Sequence, residues 1–270
     1  ALEAKRDAGR FALIAEIKST TDFVNREALM HQAEDILMGT HALVPIYYYN
    51  DTFMVKPEVE GIYVNNFGTK FFDKATKGDA EALRLQVASE PDKLDPALNS
   101  SVDGAVLAAA AFGGLYTYNE KGELVPNFAE SYEMSEDGLT YQFKMREGLK
   151  WSNGDPLTAK DFEYSWKRAV AAETAADYSY MFNSIKGFPD ALDVAASEDG
   201  KIFTVNLTAP VAYFLYLAAF PTFFAVHQGT VESAEGYKDA NGNVVSPGAW
   251  ALEAGFVSSG PFMLTEWKHE

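Results

Sequence analysis

The sequence contains no cysteine and has far fewer basic than acidic residues. The absence of cysteine excludes thiolate catalysis, disulfide bonds and cysteine-ligated metals. Lysine and arginine number 22 against 39 aspartates and glutamates, which gives a formal net charge of −17. Such a surface repels nucleic acid and anionic membranes. The longest apolar run, Val211–Val226, is interrupted by Pro221 and is shorter than the roughly 20 residues that a transmembrane helix needs. We expect a globular protein with no nucleic-acid partner and no transmembrane segment.

Catalytic and metal-binding motifs are also missing. The chain has no Gly-x-Ser-x-Gly elbow, no phosphate-binding glycine loop and no dinucleotide fingerprint. Asp239–Asn243 superficially resembles a calcium loop, but its glycine is in the fourth position and no glutamate occupies the twelfth. His31 and Glu34 lack the second histidine of a zincin helix. We therefore expect a protein that is not an enzyme, with no cofactor and no metal.

Hydrophobic periodicity predicts a mixture of helices and strands. Apolar residues at helical spacing predict helices over Asp22–Gly39, over Ser101–Leu115 and after the capping residue Thr158. Alternation predicts strands over 43–49 and 83–87, and after each of two Asp-Gly turns, at Asp137–Gly138 and Asp199–Gly200. This order favours a mixed α/β or α+β protein over a barrel of parallel units.

Aromatic residues make up 14% of the chain, with local clusters at Tyr47–Tyr49, Tyr178–Phe182 and Tyr213–Phe224. Most aromatic side chains in proteins lie in the core. Those that line a cleft suit ligands with both apolar surface and hydrogen-bonding groups.

Two long stretches carry a family resemblance. Residues Pro126–Arg146 (PNFAESYEMSEDGLTYQFKMR) and Lys150–Phe162 (KWSNGDPLTAKDF) resemble the signature of the oligopeptide- and dipeptide-binding proteins. The similarity extends to Ser89–Pro96 and Ser259–Leu264. These proteins form family 5 of the extracellular solute-binding proteins, the components of peptide ABC importers that capture the ligand.

The order of the segments departs from the family pattern. Within residues 1–75, residues 13–75 resemble the family's C-terminal tail, a junction follows at 76–82, and the family's N-terminal half comes after it. Nothing resembles the large second lobe, and residues 1–12 fit neither part and are expected to be a linker. The chain thus resembles a circularly permuted, shortened family member, of natural or engineered origin, in which we expect weak or no ligand binding.

The resemblance implies a periplasmic-binding-protein-like lobe of class II type, with a discontinuous mixed sheet and a smaller inserted α+β domain. By position, residues 1–112 and 190–270 would form the main lobe and residues 113–189 the inserted domain. We expect strands from both sides of the 76–82 junction to share sheets.

The resemblance also implies the ligand and its site. Family members hold an extended peptide mainly through its backbone. Ser100, Ser101 and Val102 match the loop that runs beside the peptide as a strand would, and Tyr178 and Tyr49 match aromatic residues near the ligand. The implied partners are an oligopeptide and, in the parent protein, an ABC permease.

The resemblance further implies a monomer that works outside the cytoplasm, in the periplasm or attached to the cell surface, although the first residues show neither a leader nor a lipidation cysteine. Two alternatives remain: a scaffold that has the family fold and no ligand affinity, and a binder of another solute such as nickel or a sugar.

Overall fold

The computed structural model describes residues 2–48, 50, 52–91 and 93–268. The helices are α1 (Leu2–Ser19), α2 (Phe23–Met38), α3 (Val102–Ala111), α4 (Ala159–Val170), α5 (Phe214–Leu217) and α6 (Gln228–Ser233). The strands are β1 (Tyr63–Val64), β2 (Lys70–Phe71), β3 (Tyr116–Tyr118), β4 (Leu124–Pro126), β5 (Ala129–Met134), β6 (Thr140–Met145), β7 (Val194–Ala196) and β8 (Ile202–Asn206). Within the described ranges, no helix is both long and apolar enough to span a membrane.

The chain begins with a hairpin of two helices, α1 and α2. The expected linker over residues 1–12 is wrong, because residues from Leu2 onward are helical. The predicted helix over Asp22–Gly39 is confirmed as α2: the Asp22 carboxylate accepts the backbone N–H of Asn25 at 2.9 Å and caps the helix. α2 contributes no fully buried side chain, although the Arg26 guanidinium lies 5.2 Å from the centre of the Tyr213 ring. The hairpin therefore lies outside the main core.

Two predicted strands do not form. The described residues of segment 43–49 have no regular structure and are exposed. Ile46 and Tyr48 are almost completely exposed. Segment 83–87 is likewise irregular. A strand needs a neighbour to accept and donate its backbone hydrogen bonds, and Pro45 supplies no N–H. Alternating or β-branched sequence was therefore not sufficient at either place.

The central element is a four-stranded sheet in the order β5-β6-β8-β7. All of its ladders are antiparallel, and so are those of the β1-β2 and β3-β4 pairs. The family resemblance implied a mixed sheet, so the described strands differ from that expectation. The two Asp-Gly turns are confirmed: the first connects β5 to β6 and the second β7 to β8. Gly138 and Gly200 both have φ of 70°, the left-handed region that glycine enters without strain.

Helix α4 covers one face of this sheet and centres the core on Trp166. Its predicted start is confirmed, since Thr158 and Asp161 form a complete capping box. The fully buried Trp166 ring meets Phe203 of β8 edge-to-face at 4.9 Å and Phe223 at 5.0 Å. Its indole N–H donates to the Phe223 carbonyl at 2.9 Å, so the one polar atom of the ring is satisfied.

The expectation of sheets shared across the 76–82 junction is wrong for the described strands, because each sheet takes its strands from one side only. The β1-β2 pair nevertheless packs on the rest of the molecule: the Phe71 ring lies 6.5 Å from that of Tyr118, and Lys74 forms an ion pair with Glu120. Contact across the junction is made by side chains.

The proposed domain division remains a prediction. The four-stranded sheet contains strands from both sides of residue 190, since β8 pairs with β6. A boundary at that residue would have to pass through hydrogen-bonded strands.

The positive φ of Gly138 gives the first testable prediction. Gly138→Val should lower the free energy of unfolding by about 1–2 kcal/mol, because a β-branched residue resists the left-handed conformation. Gly138→Asn is the matched control and should lose less, because asparagine tolerates that conformation. Urea denaturation of the three proteins measures both effects. Equal stability of the valine variant and the parent would contradict the assigned turn.

Candidate functional site

The loop Ser100–Val102 exposes backbone in a strand-like conformation. Ser101 has φ −111° and ψ 154°, which is extended, and Ser100 and Val102 are exposed. The backbone N–H of Ser100 precedes this extended residue, and that of Val102, the first residue of α3, has no intrahelical acceptor. Neither donates to any residue that the structure describes. The loop therefore offers two donors to an extended partner.

The side chains of Asn99 and Ser101 fix this loop against the start of α3. The buried Asn99 amide donates to the Ser101 carbonyl at 3.0 Å, and the Ser101 hydroxyl accepts the Gly104 N–H at 3.1 Å as the helix cap. A Cβ at Gly104 would lie 1.9 Å from the Asn99 side-chain oxygen. Glycine is thus required there so that Asn99 can reach the loop.

A buried ion pair fixes the chain segment that comes just before the Ser100–Val102 loop. The Asp95 carboxylate, 1% exposed, accepts two hydrogen bonds from the guanidinium of Arg168 on α4 and one from the Trp250 indole at 2.8 Å. It also accepts the Ala97 N–H at 3.0 Å, while Arg168 reaches the Pro247 carbonyl at 2.8 Å. Burial alone would lower the pKa of Arg168, but the charge of Asp95 outweighs burial and raises it. Three distant chain segments are therefore joined directly before the loop.

A second carboxylate ties the strand-like loop to the segment before it. Asp103, in the first turn of α3, accepts the Ser89 hydroxyl at 2.7 Å and the N–H groups of Ser89 and Ala88 at 3.0 and 3.2 Å. The hydrogen bond from the Ser89 hydroxyl is the main reason that the pKa of Asp103 is lowered. A negative charge in the first helical turn is also favourable.

Tyr178 lies beside this loop. Its hydroxyl is 3.5 Å from the Ser100 carbonyl oxygen, and its ring is half-buried. The structure thus brings together Ser100, Ser101, Val102 and Tyr178, which are up to 78 residues apart in sequence. Tyr49, the fifth predicted site residue, lies outside the described residues.

Two further aromatic residues extend the contact surface from Tyr178: Phe220, which belongs to the sequence cluster Tyr213–Phe224, and Phe67, which the sequence analysis did not name. The Phe220 ring meets the Tyr178 ring at 5.7 Å, and the Phe67 ring meets that of Phe220 at 6.2 Å. Phe67 stands in the turn between β1 and β2. The sequence pattern that could have identified Phe67 is a large apolar residue placed in a turn, between the turn-forming residues Asn65 and Gly68.

A separate cleft of about 350 Å³ lies at the opposite end of α3. Its walls are mostly apolar and lie between β2 and the segment Ser259–Phe262, and they include none of the four described site residues. The cleft follows the seam where the β1-β2 pair packs on the rest of the molecule. The Ser100–Val102 loop, whose two N–H donors have no partner among the described residues, is the better candidate for ligand binding.

Comparison with known proteins defines the family. Residues 123–270, more than half of the chain, match the family described as bacterial extracellular solute-binding proteins, family 5 Middle. The chain belongs to this family of solute-binding proteins. Its mixed α/β fold is that of periplasmic peptide-binding proteins, as the resemblance predicted.

The chain is similar to the oligopeptide-binding protein OppA of Bacillus subtilis, with 38% identity over 73% of this chain and 35% of that protein. It is 33% identical to the dipeptide-binding protein DppE of the same organism, over 73% of this chain and 36% of that protein. The solved structure of Listeria monocytogenes OppA bound to peptide matches with a TM-score of 0.57 and 34% identity, over 65% of this chain and 34% of the other. The chain spans about a third of the length of the curated relatives it matches. These relatives are binding proteins and not enzymes.

The buried ion pair gives the second prediction. Arg168→Met should lower the free energy of unfolding by about 3–5 kcal/mol, because it leaves the Asp95 carboxylate buried without its counter-ion. The double variant Asp95→Asn with Arg168→Met should recover part of this loss, because a neutral amide needs no counter-ion. Thermal and urea unfolding of both variants measure the difference. A double variant less stable than the single one would show that the charge of Asp95 is not the source of the penalty.

Proposed function

We propose that this chain binds extended oligopeptides through the Ser100–Val102 loop, as part of the ligand-capturing component of a peptide ABC importer. The observation that carries the proposal is the extended backbone at Ser101, flanked by the Tyr178 ring and by the N–H groups of the exposed residues Ser100 and Val102, which donate to no described residue. Such a backbone can pair with a peptide as an added strand. Recognition through the peptide main chain would accept many different side chains.

The names of the matched relatives support the choice of ligand. They are oligopeptide- and dipeptide-binding proteins, and one solved relative holds a peptide. By the same reasoning the partner is an ABC permease and the place of action lies outside the cytoplasm. We further propose that the chain acts as a monomer and needs no cofactor.

We expect the affinity to be low. Ser100 and Val102 are exposed, so a bound peptide would remain partly in water. A net gain of about 0.5–1.5 kcal/mol for each hydrogen bond scarcely offsets the several kcal/mol lost on ordering a flexible peptide. Dissociation constants should fall no lower than the high micromolar range. A submicromolar constant in calorimetric titration with tri- to pentapeptides would contradict this expectation.

A backbone substitution at Val102 tests the proposed mode of binding. Val102→Pro removes one proposed donor, yet proline fits the first position of a helix and tolerates the extended residue before it. Peptide affinity should fall about two- to twelvefold, the equivalent of one hydrogen bond, while the melting temperature is kept. Heteronuclear NMR titration suits such weak binding.

Val102→Ala is the matched control, because it removes the exposed side chain and keeps the N–H group. If alanine and proline weaken binding equally, the side chain and not the backbone is responsible. If no peptide shifts any resonance of the parent protein, a scaffold role or another class of solute, such as a sugar or nickel, replaces peptide binding.

A further inference from the structure

Four aromatic rings are linked by successive pairwise contacts, and the second of them, Tyr178, lies beside the proposed peptide-binding loop. In order, they belong to Tyr180, Tyr178, Phe220 and Phe67, and the neighbouring ring centres are 6.1, 5.7 and 6.2 Å apart. Each pair meets edge-to-face, with interplanar angles of 75°, 74° and 81°. We call these four residues the aromatic row.

The two ends of the aromatic row are open to solvent. Phe67 is 57% exposed and Tyr180 is 55% exposed, while the two central rings are half-buried. The row touches the loop directly, since the Tyr178 hydroxyl faces the Ser100 carbonyl. The row therefore lies directly beside the loop that carries the proposed backbone donors.

Hydrogen bonds fix the backbone segments that carry two of the four rings. At one end the Asn65 side chain accepts the N–H groups of Phe67 and Thr69 at 3.0 and 2.9 Å, which fixes the turn that carries Phe67. In the middle of the row the Phe220 carbonyl accepts the N–H of Phe223 at 2.9 Å. Phe223 is fully buried, so this bond ties the backbone of Phe220 to the core. The backbone segments that carry Phe67 and Phe220 are therefore fixed before a ligand binds, which lowers the ordering cost of binding.

The spacing of the rings suits one kind of ligand. An extended chain rises about 3.3 Å per residue, so side chains on the same face recur about every 6.6 Å. Neighbouring rings of the row have centres 5.7–6.2 Å apart, so two side chains on the same face of an extended peptide can each contact one of two neighbouring rings. Side chains at adjacent positions point to opposite faces, so only one of two neighbours could reach the row.

We infer that the aromatic row is the side-chain subsite of this protein and selects extended peptides with apolar side chains at alternate positions. The inference rests on the proposed function, because the Ser100–Val102 loop has to hold the peptide backbone. It adds a specificity that main-chain recognition does not have. Phe67 and Phe220 become residues that determine specificity.

Two peptides of equal composition test the inference. Ala-Leu-Ala-Leu-Ala places both leucines on one face, whereas Ala-Leu-Leu-Ala-Ala places them on opposite faces. By NMR titration the alternating peptide should bind about three- to tenfold more tightly, the gain expected of one additional apolar side chain on an aromatic ring. Pentaalanine gives the affinity due to the backbone alone.

Variants of Phe67 test whether the preference for the alternating peptide arises at the aromatic row. Phe67→Ala should reduce the preference for the alternating peptide and leave pentaalanine binding unchanged, while Phe67→Tyr keeps the ring and should keep the preference. Phe23→Ala is the matched control, because Phe23 is 56% exposed at the start of α2 and makes no described contact with the row. It should alter neither measurement.

The outcomes separate the two proposals. If pentaalanine binds but the two leucine peptides bind equally, the subsite is wrong and peptide binding stands. If the preference exists and survives Phe67→Ala, the preference arises elsewhere and the assignment to the row is wrong. If none of the three peptides binds, the proposed function fails and the subsite with it.

Discussion

The ion pair between Asp95 and Arg168 is the constraint on which the proposed site depends. A carboxylate that is almost wholly buried is tolerable only when charge and hydrogen bonds compensate its lost hydration. Here the guanidinium, the Trp250 indole and a backbone N–H together provide that compensation. Because the partners come from α4 and from the segment around residue 250, the same bonds fix where the chain enters the Ser100–Val102 loop.

The Asp95–Arg168 ion pair and the aromatic core share one helix, α4. α4 carries Trp166, which packs on the central sheet and on Phe223, and two residues later Arg168, which holds Asp95. Phe223 in turn lies three residues after Phe220 of the aromatic row. Through these contacts α4 anchors both the segment that leads into the loop and the segment that carries Phe220, and sites supported by rigid elements are held more precisely than sites on loops alone.

Sequence reasoning succeeded where the determining interactions are local. The Asp137–Gly138 and Asp199–Gly200 turns need only a residue that accepts positive φ, and the start of α4 needs only Thr158 and Asp161 three residues apart. It failed at segments 43–49 and 83–87, where the side-chain pattern was strand-like but no described strand lies alongside. It also failed for residues 1–12, which belong to a helix that packs on α2.

The sequence by itself therefore determined the family, the turns, the capped helices and the loop Ser100–Val102 as a candidate site, since these are properties of short stretches. Only the tertiary structure decided what surrounds that loop. Phe67, Tyr178 and Phe220 belong to three segments separated by more than a single element, and nothing in any of them specifies the others. Their edge-to-face contacts exist because the β1-β2 turn, the segment after α4 and the segment after α5 converge on one surface, and such convergence is a property of packing over the whole chain.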